Sequence, residues 1–218
     1  FAMSGAFPCQ QCHMPIKSNG MHDHGFVGVD VDLTQPAELD PQFEKVTAML
    51  DSAAVLSFED ENGQFPNIVN LDALQTMQIP LRIKSLTGHS LPSGTSFNRE
   101  AWLELVFLAG EDWNDSLFNT GIIQSNQQDL NYSDSNLVWF TSFLIDEDGD
   151  TTAEVLNTKD VLNYTLPGLS TRQTYFDLPE QAVNYNELLI NARLLFRPVK
   201  PHLLQNREDL LENLPVFV

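Results

Sequence analysis

Basic residues are scarce in this sequence. Eleven Lys and Arg stand against thirty Asp and Glu, a formal net charge of −19. A chain so poor in cations cannot neutralise a phosphate backbone, which excludes a bare nucleic-acid binder. The same deficit argues against docking on anionic lipid heads. It suits a protein in a salty or extracellular setting, or one that meets basic partners. No apolar run approaches the roughly 18 residues of a membrane span, and no secretory leader is legible. The opening Phe1-Ala2-Met3-Ser4 is not a gene start, so a processed chain or a piece of a longer one is expected. Internal repeats, low-complexity stretches, a glycine-rich phosphate loop and a Gly-x-Ser-x-Gly elbow are all missing. Charged residues make up only 19% and hydrophobic ones 42%, which leaves enough apolar material for a core and excludes a disordered acidic tail. A chain of 218 residues fits one large domain, or one domain with an appendage.

Cysteine is nearly absent too. The two present, Cys9 and Cys12, stand in Cys9-Gln10-Gln11-Cys12-His13. This is the attachment signature of haem c. Two thiols at this spacing add across the two vinyl groups of one porphyrin edge, and the adjacent imidazole reaches the iron from the proximal side. Three other readings use the same residues. A thioredoxin-like redox pair would follow a strand and open a helix, whereas Pro8 precedes this pair and Met14-Pro15 follows it. A zinc site would need a second ligand pair, which His22 and His24 offer. A structural disulfide is the plainest use of two cysteines.

Haem iron takes a sixth ligand, usually His or Met in electron-transfer proteins. With His13 proximal, the remaining histidines are His22, His24, His89 and His202. His22 and His24 lie in the polar loop Met21-His22-Asp23-His24-Gly25-Phe26, and His89 in the turn-rich Thr87-Gly88-His89-Ser90-Leu91-Pro92-Ser93-Gly94. A loop histidine on a very acidic protein is most often simply solvated, and a covalent haem is what raises the odds of ligation. His202 reads as structural or exposed. Met14 adjoins His13 and cannot reach the other face of a porphyrin. Met3 and Met21 have nothing in their favour beyond their chemistry.

Residues 1–35 are irregular and need something to pack on, which a haem would supply. Phe43, Val46, Met49 and Leu50 have helical spacing, with Asp40 as N-cap and Pro41 in the first turn. A strand is expected near Ala54–Phe58. From about residue 78 the period becomes two, and strands are expected at 81–84, 101–109, 137–145, 151–156, 171–178 and 187–196. A last helical turn is expected within Arg207–Leu214. Many strands with turn signals and little helix predict a mainly β fold. Its form is an antiparallel β-sandwich, preceded by the irregular haem c-binding segment and one short helix. The expected organisation is 1–35 for haem c binding, 36–77 as a helical linker and 78–218 as the β-sandwich. The aromatics read as sandwich core.

Other features carry less. Asp146-Glu147-Asp148-Gly149-Asp150 resembles half of a calcium loop but lacks the twelfth-position Glu, so a solvated turn competes with calcium there. Asp30 and Asp32 alternate as on an exposed strand. Asn114, Asn131 and Asn163 begin short glycosylation sequons that matter only in a secretory host. Arg99 is a candidate partner for a haem propionate or for a local carboxylate.

These residues form an ordered set. Cys9 to Pro15, then Asp23-His24-Gly25-Phe26-Val27-Gly28, resembles the last haem segment of bacterial multihaem c-type cytochromes. Thr87–Gly94 with Arg99-Glu100-Ala101-Trp102-Leu103 is similar to a motif that follows in those proteins and leads into a β-sandwich. Ala192–Pro198 resembles the last long strand of that module, and Leu214-Pro215-Val216 its closing segment. The resemblance implies one covalent haem c and electron transfer with redox partners or neighbouring haem subunits. It also implies export to the periplasm or beyond, including association with an outer membrane. Such proteins usually carry further CxxCH motifs upstream, and Phe1–Phe7 looks like part of such a segment. By likeness to pentahaem nitrite reductases, His24 would serve a neighbouring haem and His89 would be the sixth ligand here. The competing assignment has His24 closing its own haem. The chain reads as an electron carrier rather than a catalyst in its own right. The alternatives are a terminal domain of a multihaem oxidoreductase acting on a small nitrogen or oxygen compound, and an assembly module of a haem filament.

Overall fold

A computed structural model describes residues 9–64 and 78–218, without the side chains of Gln11 and Cys12. Met3 and the Phe1–Phe7 segment lie outside the described residues. Three short helices, α1 (Cys9–His13), α2 (Phe43–Leu50) and α3 (Glu208–Leu211), accompany ten strands. The strands are β1 (Ala54–Ser57), β2 (Gln78–Ser85), β3 (Glu100–Ala109), β4 (Asp115–Thr120), β5 (Trp139–Phe140), β6 (Ser142–Ile145), β7 (Thr151–Thr152), β8 (Asp160–Asn163), β9 (Thr171–Asp177) and β10 (Leu189–Arg197). The fold is mainly β, as the alternation predicts.

All strand pairs are antiparallel, in three sheets: β1-β2-β9, then β10-β3-β4 with β5 also on β3, then β7-β6-β8. Ile79, Leu81 and Ile83 from β2 share one core with Ala101, Leu103, Leu105 and Phe107 from β3 and with Phe176 from β9. Val27 from the N-terminal segment and Val46 from α2 enter the same core, so the irregular segment is fastened by its own apolar residues. Trp102, Leu130, Leu137 and Leu195 form a second cluster. There the Trp102 indole donates to the Gly121 carbonyl at 2.8 Å. Gly121 has φ +70°, and a Cβ there would lie 2.1 Å from the Leu103 carbonyl oxygen, so only glycine lets the chain pass so close.

Several expected elements differ. The strand expected over 137–145 is broken at buried Thr141, whose hydroxyl donates to the Arg99 carbonyl at 2.5 Å. The chain leaves β3 there and joins β8. The strand expected over 151–156 is only Thr151–Thr152, followed by a 3-10 turn at Val155–Asn157. Strands β4 and β8 lack an alternating apolar pattern, and β8 is exposed throughout, so neighbour pairing rather than burial makes them strands. Asp40 does not cap α2. Its carboxylate accepts from the backbone N–H of Gln42 and Asp32, holding the turn that leads into the helix. Asp30 and Asp32 are not on a strand.

Charge is buried where β3 meets β10. Glu100 and Arg197 are cross-strand partners and form a buried ion pair. Arg197 also donates to the carbonyls of Asn126 and Gln128 at 2.7 and 2.9 Å, and Tyr132 donates its hydroxyl to Glu100. Each charge is thus fully hydrogen-bonded, and removing either partner strands the other. Glu100 and burial together push the Tyr132 hydroxyl well above the ordinary phenol range, burial being the larger cause.

Lys200 is buried beside this cluster, donating to the Ser142 carbonyl at 3.0 Å and lying 4.4 Å over the Phe143 ring. Burial lowers its pKa from 10.5 to about 8. Between those values the unfolded chain binds more protons at Lys200 than the folded one, so this group makes stability rise with pH through that window. Urea denaturation at intervals from pH 7.5 to 10.5 is expected to show that rise, and Lys200→Met is expected to remove it.

Candidate functional site

Helix α1 carries the CxxCH motif and ends on His13. Cys9 is a free, exposed thiol. After α1, Ile16 and His22 pair across a tight reversal in which Gly20 takes φ +79°. Asp23 accepts from the Gly25 backbone N–H and pairs with Lys17 at 3.2 Å, and these contacts, in that order, hold its carboxyl below the usual range. The chain then returns to His13, where the Val27 backbone N–H meets the His13 carbonyl at 3.3 Å and Phe26 stacks on the imidazole with ring centroids 4.8 Å apart.

Three imidazoles rest on backbone carbonyls. His13 Nδ1 lies 2.6 Å from the Val27 carbonyl oxygen, His22 Nδ1 lies 2.7 Å from that of Met14, and His89 Nδ1 lies 3.0 Å from that of Ser90. A carbonyl only accepts, so each Nδ1 donates there, and Nε2 is the ring nitrogen left to bind a metal. A backbone carbonyl on the second ring nitrogen is how proteins orient a metal-binding histidine. His24 is exposed. His202 pairs with Asp129 at 3.0 Å on the surface.

Two of these rings, 76 residues apart in sequence, face each other in space. The His13 and His89 centroids are 6.1 Å apart with an interplanar angle of 32°. Two imidazoles binding one metal through Nε2 at about 2 Å each have ring centres roughly 6 Å apart. The spacing of the two rings therefore fits a metal ion held between His13 and His89.

The His89 loop is held from behind. Leu91 and Leu166 exchange two backbone hydrogen bonds of 2.8 Å, and the Leu169 N–H donates to the Thr87 carbonyl at 3.0 Å. Gly168 packs directly on the His89 loop, and a Cβ there would lie 2.7 Å from the His89 nitrogen and 2.9 Å from its carbonyl oxygen. From the side, Arg99 donates to the Ser93 carbonyl at 2.7 Å and to both Asp30 oxygens at 2.9 Å, although its buried Nε has no partner among the described residues. This local carboxylate is the fate of Arg99 in the structure. Nothing in the Pro and Gly of Leu166-Pro167-Gly168 marks this turn as a backing for His89, and no signal in the sequence marks Phe26 as the ring on His13.

Elsewhere, Asp146 Oδ1 accepts from the N–H groups of Asp148 and Asp150 and closes its own turn. Among the described residues no group of three or more His, Cys, Asp or Glu is arranged to hold a metal ion, so neither calcium at 146–150 nor a zinc cluster with His22 and His24 gains support from the geometry.

No protein-family model matches the chain. No curated protein matches it either. Among solved structures, it is similar to a penta-heme cytochrome c552 from Thermochromatium tepidum, with a TM-score of 0.62 at 17% identity over 100% of this chain and 47% of that one. The chain spans about half the length of that protein. At this identity the likeness is one of fold alone.

Gly168→Ala should force the His89 backbone to move. Overpacking of this kind costs about 1–3 kcal/mol. Denaturation should read that loss, and amide shifts at 87–91 should accompany it, while a surface glycine with open space such as Gly88 should tolerate alanine.

Proposed function

We propose that this chain is a c-type cytochrome module that transfers electrons outside the cytoplasm through one covalently attached haem. The facing of His13 and His89 at 6.1 Å carries the reading, because each ring presents a free Nε2 and has its other nitrogen fixed on a carbonyl. Cys9 and Cys12 would hold the porphyrin edge, His13 would be the proximal ligand and His89 the sixth. A bound haem c supplies a one-electron couple whose potential follows from ligands, burial and hydrogen bonding. The protein's own part is to orient both imidazoles through their carbonyl partners and to shield one side. The fold likeness to a penta-heme cytochrome supports a place within a multihaem protein or assembly, with redox proteins or neighbouring haem subunits as partners. His24, exposed on the loop that returns to His13, suits a ligand to a neighbouring haem better than a ligand to this one. Two imidazoles on one iron leave no open position for a small substrate, which favours a carrier over a catalyst. The domain reading is a haem-binding segment over 1–35, a linker over 36–77 that carries helix α2 and lends strand β1 to the sheet of β2 and β9, and a β domain over 78–218. No described helix is long and apolar enough to cross a membrane.

The purified chain, expressed with haem-attachment machinery, should keep haem stain on a denaturing gel and show a sharp reduced α-band. His89→Ala should turn the iron high-spin and open it to carbon monoxide, while His24→Ala should leave the low-spin spectrum unchanged. A colourless chain would overturn the proposal, and a low-spin spectrum that survives His89→Ala would overturn the sixth-ligand assignment.

A further inference from the structure

Strand β10 lies at a sheet edge, paired with β3 on one side. Phe196 turns its N–H and its carbonyl to the other side and exchanges two backbone hydrogen bonds of 2.9 Å with Phe217. The register with β3 runs unbroken from Leu189 to Arg197, so every second residue back from Phe196 turns its backbone groups the same way. These residues are Leu194, Ala192 and Ile190. Leu103, opposite Leu194 in that register, agrees with this parity, because its N–H donates to the Val138 carbonyl instead. Among the described residues, nothing beyond Phe217 pairs with this edge of β10.

A groove of about 260 Å³ lies beside the same edge, between β10 and β1. Its lining is mostly apolar and includes Leu50, Ala54, Leu56, Leu91, Leu194 and Phe217. Ala192 and Leu194 from β10, with Ala54 and Leu56 from β1, pack on the main core yet stay only partly buried, so the core opens to solvent here. Side chains two apart on a strand share a face. Ala192, Leu194 and Phe196 therefore set one apolar row beside one row of unpaired backbone groups. An exposed edge of this kind is a template for another strand.

We infer that the free edge of β10 receives an extended segment of a partner polypeptide, which adds as an antiparallel strand in line with the Phe217 pairing and lays an apolar side chain into the groove at every second position. Phe217 shows within the molecule that this edge takes a strand, and in which direction. Main-chain hydrogen bonds supply the affinity, and the groove supplies the preference for alternating apolar residues. A helix has already spent its backbone groups on itself and would leave the edge unpaired. A second copy of this chain is disfavoured by charge, since each copy carries −19. The same charge favours a partner segment whose outward positions are basic. The surface is independent of the haem reading, because neither His13 nor His89 lines the groove.

The test is calorimetric titration of the full chain with the end-capped peptide Lys-Val-Lys-Val-Lys-Val-Lys. One saturable site per chain is expected, and the isomer Lys-Lys-Val-Val-Val-Lys-Lys, of equal charge, should bind about tenfold more weakly or worse. Hydrogen exchange should slow on binding at the amides of Ile190, Ala192 and Leu194, and stay unchanged at Asn191 and Arg193, whose N–H groups face β3. In this register the peptide's valine nitrogens face β10, so N-methylation of these should abolish binding and N-methylation of the inner lysine nitrogens should weaken it far less. Ala192→Pro removes a donor on the open edge and should cost about tenfold in affinity, its folding being checked by circular dichroism. Absence of saturable binding, equal binding of the isomer, equal loss from methylation of either set of nitrogens, or protection confined to other amides would overturn the proposal. So would a chain that dimerises through β10 and ignores the peptide.

Discussion

Arg99 reaches from the start of the β3 region to two loops at once, with one nitrogen on the Ser93 carbonyl and the other on both oxygens of Asp30. The first loop carries His89 and the second continues from the Val27 turn that orients His13. Neither loop has regular secondary structure, and neither could set a 6.1 Å spacing between imidazoles by itself. A planar guanidinium with fixed donor directions can, because both contacts must be made in one plane. The sheets matter to the site chiefly through what they anchor. Val27 is fixed in the shared core, and Leu91 is fixed by its bridge to Leu166.

The same economy governs charge. Basic groups are few, and most are committed to a geometric task. Arg197 closes the Glu100 cluster between β3 and β10, Arg99 joins the two histidine loops, Lys200 satisfies the Ser142 carbonyl, and Lys17 steadies the Asp23 turn. The excess of carboxylates is left on the surface, where it repels acidic partners and favours encounter with basic ones.

How much of this was legible follows from which physical signals are local. The CxxCH spacing is local chemistry, so Cys9, Cys12 and His13 stand out as candidates from the sequence alone. Apolar alternation is local too, which is why β2, β3, β9, β10 and helix α2 fall close to their expected places. Strands β4 and β8 were invisible because their residues are mostly polar or exposed and they exist by pairing with strands distant in pattern. The break at Thr141 depends on a hydroxyl reaching the Arg99 carbonyl 42 residues away. The facing of His13 and His89 was only suggested by resemblance, and the glycine that backs His89 lies near residue 168, in what reads as an ordinary turn. Contacts between loops distant in sequence leave no periodicity behind.

The central claim is that His13 and His89 flank one iron, with their planes 32° apart as in the structure. Low-temperature electron paramagnetic resonance of the oxidised protein tests it most directly, because the signal depends on the identity and mutual orientation of the two axial ligands. The account predicts a rhombic low-spin spectrum typical of two imidazoles with nearly parallel planes, lost in His89→Ala. A high-spin axial signal in the wild type, or a low-spin signal indifferent to His89, would contradict it.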